Sequence, residues 1–170
     1  MKKISLITVA LIAVVLIAGG CAGKGGRTEK KAPQGSEVDL FTLEFLDLNG
    51  NPFKLEKGKV TYLTFFASWC RVCAEEVKIN NGILEKFGKK GLVVYGVNVG
   101  DATPVVKKYI SKNGIKYSVV RDPSGDISMK KMGLMGLPLN LVVGADGREI
   151  FRAAETPTDE ILKRALESAK

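Results

Sequence analysis

The stretch FFASWCRVC, residues 65–73, contains two cysteines three positions apart, Cys70 and Cys73. The apolar residues 60–66 predict a strand buried on both faces, and the residues after Cys70 predict the first turn of a helix. Positions i and i+3 lie on one helix face, so the sulfurs come within the ~7 Å Cα separation that a disulfide requires. A helix N-terminus carries roughly half a positive elementary charge, which favours thiolate over thiol. The position at the helix start therefore predicts that Cys70 is the reactive thiol and that Cys73 resolves.

The composition limits the classes of function. The chain has 170 residues, 45% of them hydrophobic, which suits one domain with a core of its own. It contains no histidine, and this excludes histidine-based acid–base catalysis, histidine-ligated haem and most zinc or copper sites, so we expect no metal. The formal charge is +8, but Lys and Arg are scattered and form no aromatic-interleaved patch, so we expect no nucleic-acid partner.

The first 20 residues have the parts of an export signal: a basic start, an apolar run over residues 4–18, and two glycines. The apolar run is shorter than the ~20 residues of a membrane-spanning helix. Cys21, directly after the glycines, resembles the lipidated cysteine in the lipobox of bacterial lipoproteins, although Ala18 stands where Leu is usual. Lipidation explains the odd cysteine count. An uncleaved signal anchor and a plain secretory signal stay open as alternatives.

Three segments follow from this pattern: a signal peptide over residues 1–20, a lipidated Cys21 with a flexible tether to residue 39, and a domain over residues 40–170. The tether is rich in Gly, Lys and Pro and has almost no apolar side chains. Each form of export places the domain outside the cytoplasmic membrane, where disulfide chemistry is permitted. We therefore expect a cell-envelope protein that a lipid holds to the membrane.

The domain alternates strand and helix patterns. The first predicted elements are a hairpin of residues 40–48 and 52–55 around Asn49-Gly50, a strand over 60–66, a helix over 71–89 and a strand over 92–99. They are followed by a helix capped by residues 101–104 that ends at Lys112, a strand over 117–120, a short helix over 127–132, a strand pair over 139–143 and 149–153, and a last helix over 159–169. Gly82 weakens the first helix by about 1 kcal/mol, and we expect a bend there. The order predicts an α/β fold with a mixed central sheet flanked by helices, an N-terminal hairpin and an inserted αβ unit over residues 101–120. In such sheets ligands bind beyond the carboxyl ends of the parallel strands, where strand 60–66 delivers Cys70.

Four features make residues 36–168 resemble the TlpA/ResA-like thioredoxin fold, a family of membrane-anchored thiol–disulfide oxidoreductases of bacterial envelopes. They are FFASWCRVC at residues 65–73, Glu76 three residues after the second cysteine, Gly136-Leu137-Pro138 before an apolar strand, and DGREI at residues 146–150. The resemblance implies a thioredoxin-like fold in which Pro138 is cis and faces the disulfide. It also implies that the backbone of Leu137 pairs with an extended substrate.

The chain departs from the family at several positions. Arg71-Val72 separates the cysteines where the family's dipeptide often ends in Pro. Thr64 stands where thioredoxins and many relatives keep a buried Asp or Asn, and Lys78 and Leu139 replace a helix proline and a threonine. We expect these changes to alter the reduction potential and the choice of partner more than the type of reaction.

Four residues near the cysteines, Trp69, Arg71, Val72 and Glu76, are candidates for supporting or substrate-binding roles. We expect Trp69 to shield one side of the thiol and to contact partners. Arg71 either adds to the positive field over Cys70, the interpretation that we favour, or is a solvated surface arginine. Glu76 shares a helix face with Cys73 and is either a solvated carboxylate or a proton acceptor for that thiol.

These features predict a thiol–disulfide oxidoreductase that acts on protein dithiols and disulfides, with no cofactor beyond the redox-active pair Cys70 and Cys73, as a monomer. The resemblance implies a reductant that a membrane thiol donor keeps reduced. Its substrates would include the haem-binding cysteines of apocytochromes c in cytochrome c biogenesis. One alternative is a peroxiredoxin-like peroxidase, although Ala67 stands where such enzymes need Thr. The other is a non-catalytic envelope binding protein or metallochaperone, which the lack of histidine disfavours.

Overall fold

The computed structural model describes residues 38–169. The predictions for the export signal, for Cys21 and for nearly all of the tether fall outside these residues. The strands are β1 (Phe45–Leu46), β2 (Pro52–Phe53), β3 (Val60–Phe66), β4 (Leu92–Val99), β5 (Ser118–Asp122), β6 (Leu139–Val143) and β7 (Glu149–Ala153). The α-helices are α1 (Arg71–Phe87), α2 (Thr103–Asn113) and α3 (Asp159–Glu167), and shorter helical turns cover Leu40–Thr42, Gly88–Lys90 and Asp126–Lys131. No helix within the described range is long and apolar enough to span a bilayer.

The strands form one mixed sheet of seven, in the order β2-β1-β5-β4-β3-β6-β7. β3, β4 and β5 run parallel to one another, whereas the pairs β1–β2, β1–β5, β3–β6 and β6–β7 are antiparallel. This confirms the predicted mixed sheet and places the N-terminal hairpin at one edge. The predicted αβ insert is α2 followed by β5, and β5 joins the hairpin to the parallel strands.

β3 lies inside the sheet with β4 on one side and β6 on the other, and all of its residues are buried. Its side chains alternate between the two faces, so Leu63 and Phe65 enter one core cluster while Tyr62 and Phe66 enter clusters on the opposite face. A strand covered on both faces needs apolar or β-branched residues throughout, which is the pattern of residues 60–66. Each large apolar side chain that is buried stabilises the fold by about 1.5–3 kcal/mol, so β3 anchors the sheet.

Helical elements cover both faces of the sheet, as predicted. On one face, α1 and α3 pack over Tyr62, with Leu162 of α3 fully buried there. Farther along the same face, Tyr109 of α2 stacks on Phe66, with the ring centroids 5.1 Å apart. On the other face, the Leu40–Thr42 turn and the chain after β2 supply the cover. The stacked pair brings α2 to the end of β3, where the two cysteines follow.

One local prediction is wrong. Leu40 lies in a helical turn and not in the first hairpin strand, because the Asp39 carboxylate accepts the Phe41 N–H at 3.0 Å and starts that turn. The N-cap of α2 is Ala102, within the predicted capping stretch 101–104, and Pro104 lies in the first turn as predicted. The Asp101 carboxylate is withdrawn from the helix because it accepts hydrogen bonds from the loop before the cysteines.

Candidate active site

Cys70 and Cys73 form a disulfide at the start of α1. The sulfurs are 2.03 Å apart and the Cα atoms 5.4 Å apart. Cys70 is the N-cap residue of α1, and its sulfur accepts a hydrogen bond from the Cys73 backbone N–H at 3.2 Å. A backbone N–H of the first helical turn is thus directed at the Cys70 sulfur, which is the arrangement that stabilises a thiolate. The structure confirms the prediction that the two sulfurs meet at the helix start.

An apolar shell surrounds the disulfide. Phe66, Tyr109 and Val119 pack in one buried cluster with both cysteines. Cys70 has 6% of its surface exposed and Cys73 has 4%. Little of either cysteine is therefore in contact with solvent. This burial strengthens the electrostatic interactions of the two sulfurs.

Sequence reasoning missed a hydrogen-bonded clamp on Ser68, two residues before Cys70. The Asp101 carboxylate accepts the Ser68 N–H and the Ser68 Oγ–H, both at 2.7 Å, and the Asn98 Nδ2–H at 2.8 Å. These charge-assisted bonds tie the loop before Cys70 to the end of β4. The sequence could have indicated this contact, because Ser68 and Asp101 follow two neighbouring parallel strands, and the carboxyl ends of such strands meet at one edge of a sheet.

The residues that flank the cysteines are exposed. Trp69 is 75% exposed and Val72 is 51% exposed. Large apolar side chains left in solvent beside a reactive sulfur suit contact with another protein. The Arg71 side chain is almost fully exposed and pairs with Glu75 at 3.2 Å. Because solvent and this carboxylate both screen the guanidinium charge, the structure favours the solvated interpretation of Arg71 over the field effect.

The loop before β6 lies beside the disulfide. The Leu137–Pro138 peptide bond is cis, as the resemblance implied. Leu137 packs against the cluster that contains both cysteines. Arg152 of β7 braces the loop, because it pairs with Glu149 at 2.7 Å and donates to the Met132 carbonyl at 3.0 Å. The residue whose backbone is predicted to pair with substrate is therefore held next to the reactive sulfurs.

Glu76 is half buried, one helical turn after Cys73. The Asn140 Nδ2 donates to its Oε2 at 3.3 Å. Burial raises the pKa of the Glu76 carboxyl, the hydrogen bond from Asn140 opposes that rise, and the charge of Glu155 adds to it. A carboxyl with a raised pKa takes up a proton more readily near neutral pH. The carboxyl is therefore not fully solvated, and a role as proton acceptor for Cys73 stays a prediction.

Thr64 carries no carboxyl group into the core. Its buried Oγ1 lies 3.3 Å from Nδ2 of Asn80, so two neutral groups meet at this point of the core. This leaves Glu76, on the helix face of Cys73, as the candidate acceptor. In residues 38–169, no group of three or more His, Cys, Asp or Glu side chains could hold a metal ion.

Known proteins resemble the chain along most of its length. The model of the AhpC/TSA family matches residues 34–148, which is more than half of the chain. The thiol-disulfide oxidoreductase ResA of Geobacillus kaustophilus (strain HTA426) is 30% identical over 146 residues, which cover 84% of this chain and 82% of that protein. ResA of Bacillus thuringiensis subsp. konkukian (strain 97-27) is 29% identical over 140 residues, which cover 81% of this chain and 79% of that protein.

A solved structure is similar in fold as well as in sequence. The thiol:disulfide interchange protein, thioredoxin family protein, from Chlorobium tepidum TLS superposes with a TM-score of 0.62 at 27% sequence identity. The match covers 73% of this chain and 92% of that one. The chain therefore belongs to the AhpC/TSA family, with the thioredoxin-like fold and the enzyme class of its ResA relatives, thiol–disulfide oxidoreductase.

Proposed function

We propose that this oxidoreductase exchanges disulfides with partner proteins outside the cytoplasm, with Cys70 as the nucleophile and Cys73 as the resolving thiol. The observation that carries the proposal is the hydrogen bond from the Cys73 N–H to the Cys70 sulfur at 3.2 Å. In the reduced protein the same N–H, with the partial positive charge of the helix start, stabilises the Cys70 thiolate. The thiolate is the form that attacks a disulfide.

The exchange passes two electrons to the partner in two steps. The Cys70 thiolate attacks one sulfur of the partner disulfide, forms a mixed disulfide and releases the other partner sulfur as a thiolate. Cys73 then loses its proton and attacks the Cys70 sulfur, which releases the second partner sulfur and leaves the enzyme pair oxidised. Glu76 accepts the Cys73 proton, because burial raises the pKa of its carboxyl and the two residues share a face of α1.

Partner contact falls to the residues beside the disulfide. Trp69 and Val72 offer exposed apolar surface, which supports contact with a protein substrate. The backbone of Leu137, beside the cis Pro138, pairs with an extended segment of the partner. The chain works as a monomer and needs no cofactor beyond its cysteine pair.

Single-cysteine variants test the proposal in an insulin-disulfide reduction assay. We expect Cys70→Ser to abolish turnover, because no thiolate is left to start the reaction. We expect Cys73→Ser to perform the first step and to accumulate a mixed disulfide, which non-reducing electrophoresis detects. Cys21→Ser is the matched control and retains turnover. Full activity of Cys73→Ser, or turnover of hydrogen peroxide at Cys70 in place of disulfide exchange, would contradict the proposal.

The direction that we propose is reduction of envelope disulfides, such as those between the haem-binding cysteines of apocytochromes c, with a membrane thiol donor that restores the dithiol. The resemblance to membrane-anchored envelope oxidoreductases supports it. Equilibration of the Cys70–Cys73 pair with glutathione buffers decides the direction. A potential well below that of glutathione agrees with a reductant, and a potential well above it contradicts the proposal.

We also propose that a lipid on Cys21 holds the domain to the membrane through the segment up to residue 39. The basic start, the apolar run and the glycines before Cys21 support this placement. Growth of a bacterial host with a labelled fatty acid tests it. The label is expected in the wild-type protein and absent from Cys21→Ser, and equal labelling of the two proteins contradicts the anchor.

A further inference from the structure

Five polar side chains form a continuous hydrogen-bonded chain between β3, α1 and β6. They are Thr64 and Tyr62 on β3, Asn80 and Glu76 on α1, and Asn140 on β6. The distances are 3.3 Å from Asn80 Nδ2 to Thr64 Oγ1, 2.8 Å from Tyr62 Oη to Asn80 Oδ1, 2.7 Å from Tyr62 Oη to Asn140 Oδ1, and 3.3 Å from Asn140 Nδ2 to Glu76 Oε2. Tyr62, Asn80 and Asn140 are almost completely buried. Such a network is rigid only when each donor meets an acceptor.

The proton of the Tyr62 hydroxyl sets the direction of this chain. A tyrosine hydroxyl has one proton to donate, yet it faces the amide oxygens of both Asn80 and Asn140. The Asn140 Nδ2 is already committed, because it donates to the Ala154 carbonyl at 2.8 Å as well as to Glu76. The Asn140 Oδ1 must therefore accept, and the Tyr62 proton goes to it.

The Tyr62 oxygen then has no proton left for the Asn80 Oδ1, and two acceptors that face each other repel. The Asn80 amide must therefore be rotated by 180°, which exchanges its Oδ1 and Nδ2 and places the nitrogen against the Tyr62 oxygen. The two ends of an amide have the same shape, so the hydrogen-bond partners decide its orientation. In this orientation the Asn80 oxygen accepts the Thr64 hydroxyl proton. Every donor from Thr64 onward then points toward Glu76, and each bond in such a chain polarises the next.

We propose that Asn140 is a positioning residue for Glu76, held by Tyr62 so that its amide N–H stays directed at the Glu76 carboxyl while Cys73 gives up its proton. The proposal rests on the proposed function, in which Glu76 accepts that proton. Asn140 suits this role because it is two residues after Pro138 and in register with Thr64, so β6 carries both the substrate-side loop and the group that orients the acceptor.

The amide N–H favours the ionised carboxylate and so keeps Glu76 able to receive a proton despite its burial. The other titratable groups that face Glu76 are Tyr62 on β3, Tyr117 before β5, Glu155 after β7 and Cys73 on its own helix. Burial raises the pKa of both tyrosines well above the physiological range, so they stay neutral. Glu155 is negative and opposes ionisation of Glu76, which leaves Asn140 as the group that favours it.

Asn140→Leu removes the donor at nearly constant volume. In the full-length reduced protein, we measure the Glu76 carboxyl titration by ¹³C NMR and the pH dependence of insulin reduction. We expect the Glu76 midpoint to rise by about one pH unit, a tenfold change in proton affinity, because a hydrogen bond to a charged group is lost. The acidic limb of the activity profile is expected to shift to higher pH by a similar amount.

Tyr62→Phe is the second variant, and it keeps the test usable if Asn140→Leu folds poorly. It leaves Asn140 in place but removes the proton that orients it, so we expect a smaller rise of the same sign. Thr61→Val is the matched control on β3, because its buried Oγ1 has no hydrogen-bond partner among the described residues. We expect Thr61→Val to change neither the Glu76 titration midpoint nor the acidic limb of the activity profile.

The outcomes separate the two proposals. Unchanged Glu76 midpoints in folded Asn140→Leu and Tyr62→Phe would show that Asn140 has only a structural role, and would overturn the inference. A further change of the activity profile on adding Asn140→Leu to Glu76→Gln would also overturn it, because the effect must pass through Glu76. If the NMR midpoint rises but the wild-type protein reduces no protein disulfide, the positioning role stands and the proposed function fails.

Discussion

Glu76 links pH to stability at the scale of one residue. Burial raises the pKa of its carboxyl in the folded protein above that of the unfolded chain. The folded state therefore holds this proton more tightly than the unfolded chain does. The resulting contribution to stability is fully present below the unfolded pKa and is lost as the pH rises through the folded pKa.

We expect Glu76→Gln, which is neutral at every pH, to be more stable than the wild-type protein at about pH 8 and equally stable at about pH 4. The variant keeps an oxygen that can accept the Asn140 N–H, so its effect isolates the charge. Urea unfolding of the oxidised proteins at both pH values measures the difference. Glu75→Gln is the control on the exposed face of α1 and is expected to stay within about 0.5 kcal/mol of wild type. Lower stability of Glu76→Gln than of wild type at about pH 8 would contradict the predicted sign.

At the scale of elements, two glycines differ in whether the surrounding structure has room for a side chain. Gly82 lies inside α1, which remains α-helical through it, and a Cβ added there has nothing within 4 Å. Gly96 lies in β4, and a Cβ there would come within 2.9 Å of the Tyr117 ring and 3.0 Å of the Phe66 ring. The first glycine weakens its helix without any packing benefit, and the second makes room for the rings of Phe66 and Tyr117.

We therefore expect Gly82→Ala to stabilise the protein by about 0.5–1 kcal/mol, because alanine loses less conformational freedom in a helix. We expect Gly96→Ala to destabilise it by about 1–3 kcal/mol, because the rings of Tyr117 and Phe66 must move. The two variants are the same chemical change and serve as controls for each other in urea unfolding. A stabilised Gly96→Ala would mean that the core around Phe66 is loosely packed.

At the scale of the whole molecule, the sheet order divides the strands into a protected centre and two edges. β3 is buried throughout and pairs on both sides, with β4 and β6, whereas β2 and β7 are the edge strands. Backbone groups in well-packed central strands open only with large parts of the fold, while edge strands open locally.

We expect native-state hydrogen exchange of the oxidised protein to be slowest for the amides of β3 and β4 and fastest at β2 and in the loop before β6. The measurement is two-dimensional NMR after transfer into deuterated buffer. Reduction of the disulfide is the internal comparison, and it is expected to speed exchange at the start of α1 while the centre of β3 stays slow. Exchange in β3 as fast as in β7 would contradict this division of the sheet.

The sequence alone determined the elements and the reactive pair. Residues 60–66 specify a strand buried on both faces, since nearly every position is apolar or β-branched, and the three-residue spacing of Cys70 and Cys73 needs only one helical turn to bring the sulfurs together. These are properties of neighbours along the chain. The cis bond at Pro138 was accessible in a different way, through resemblance to a known family.

Only the tertiary structure decided which distant polar groups meet. Asp101 reaches Ser68 across 33 residues, and Asn140 reaches Tyr62 across 78. It also decided exposure, because Met135 is 98% exposed whereas Met132, three residues earlier, is buried. The physical reason is that such contacts depend on strand register and on how a helix is rotated over the sheet. A shift of one residue in either would turn these side chains away from each other, although the local sequence pattern would be unchanged.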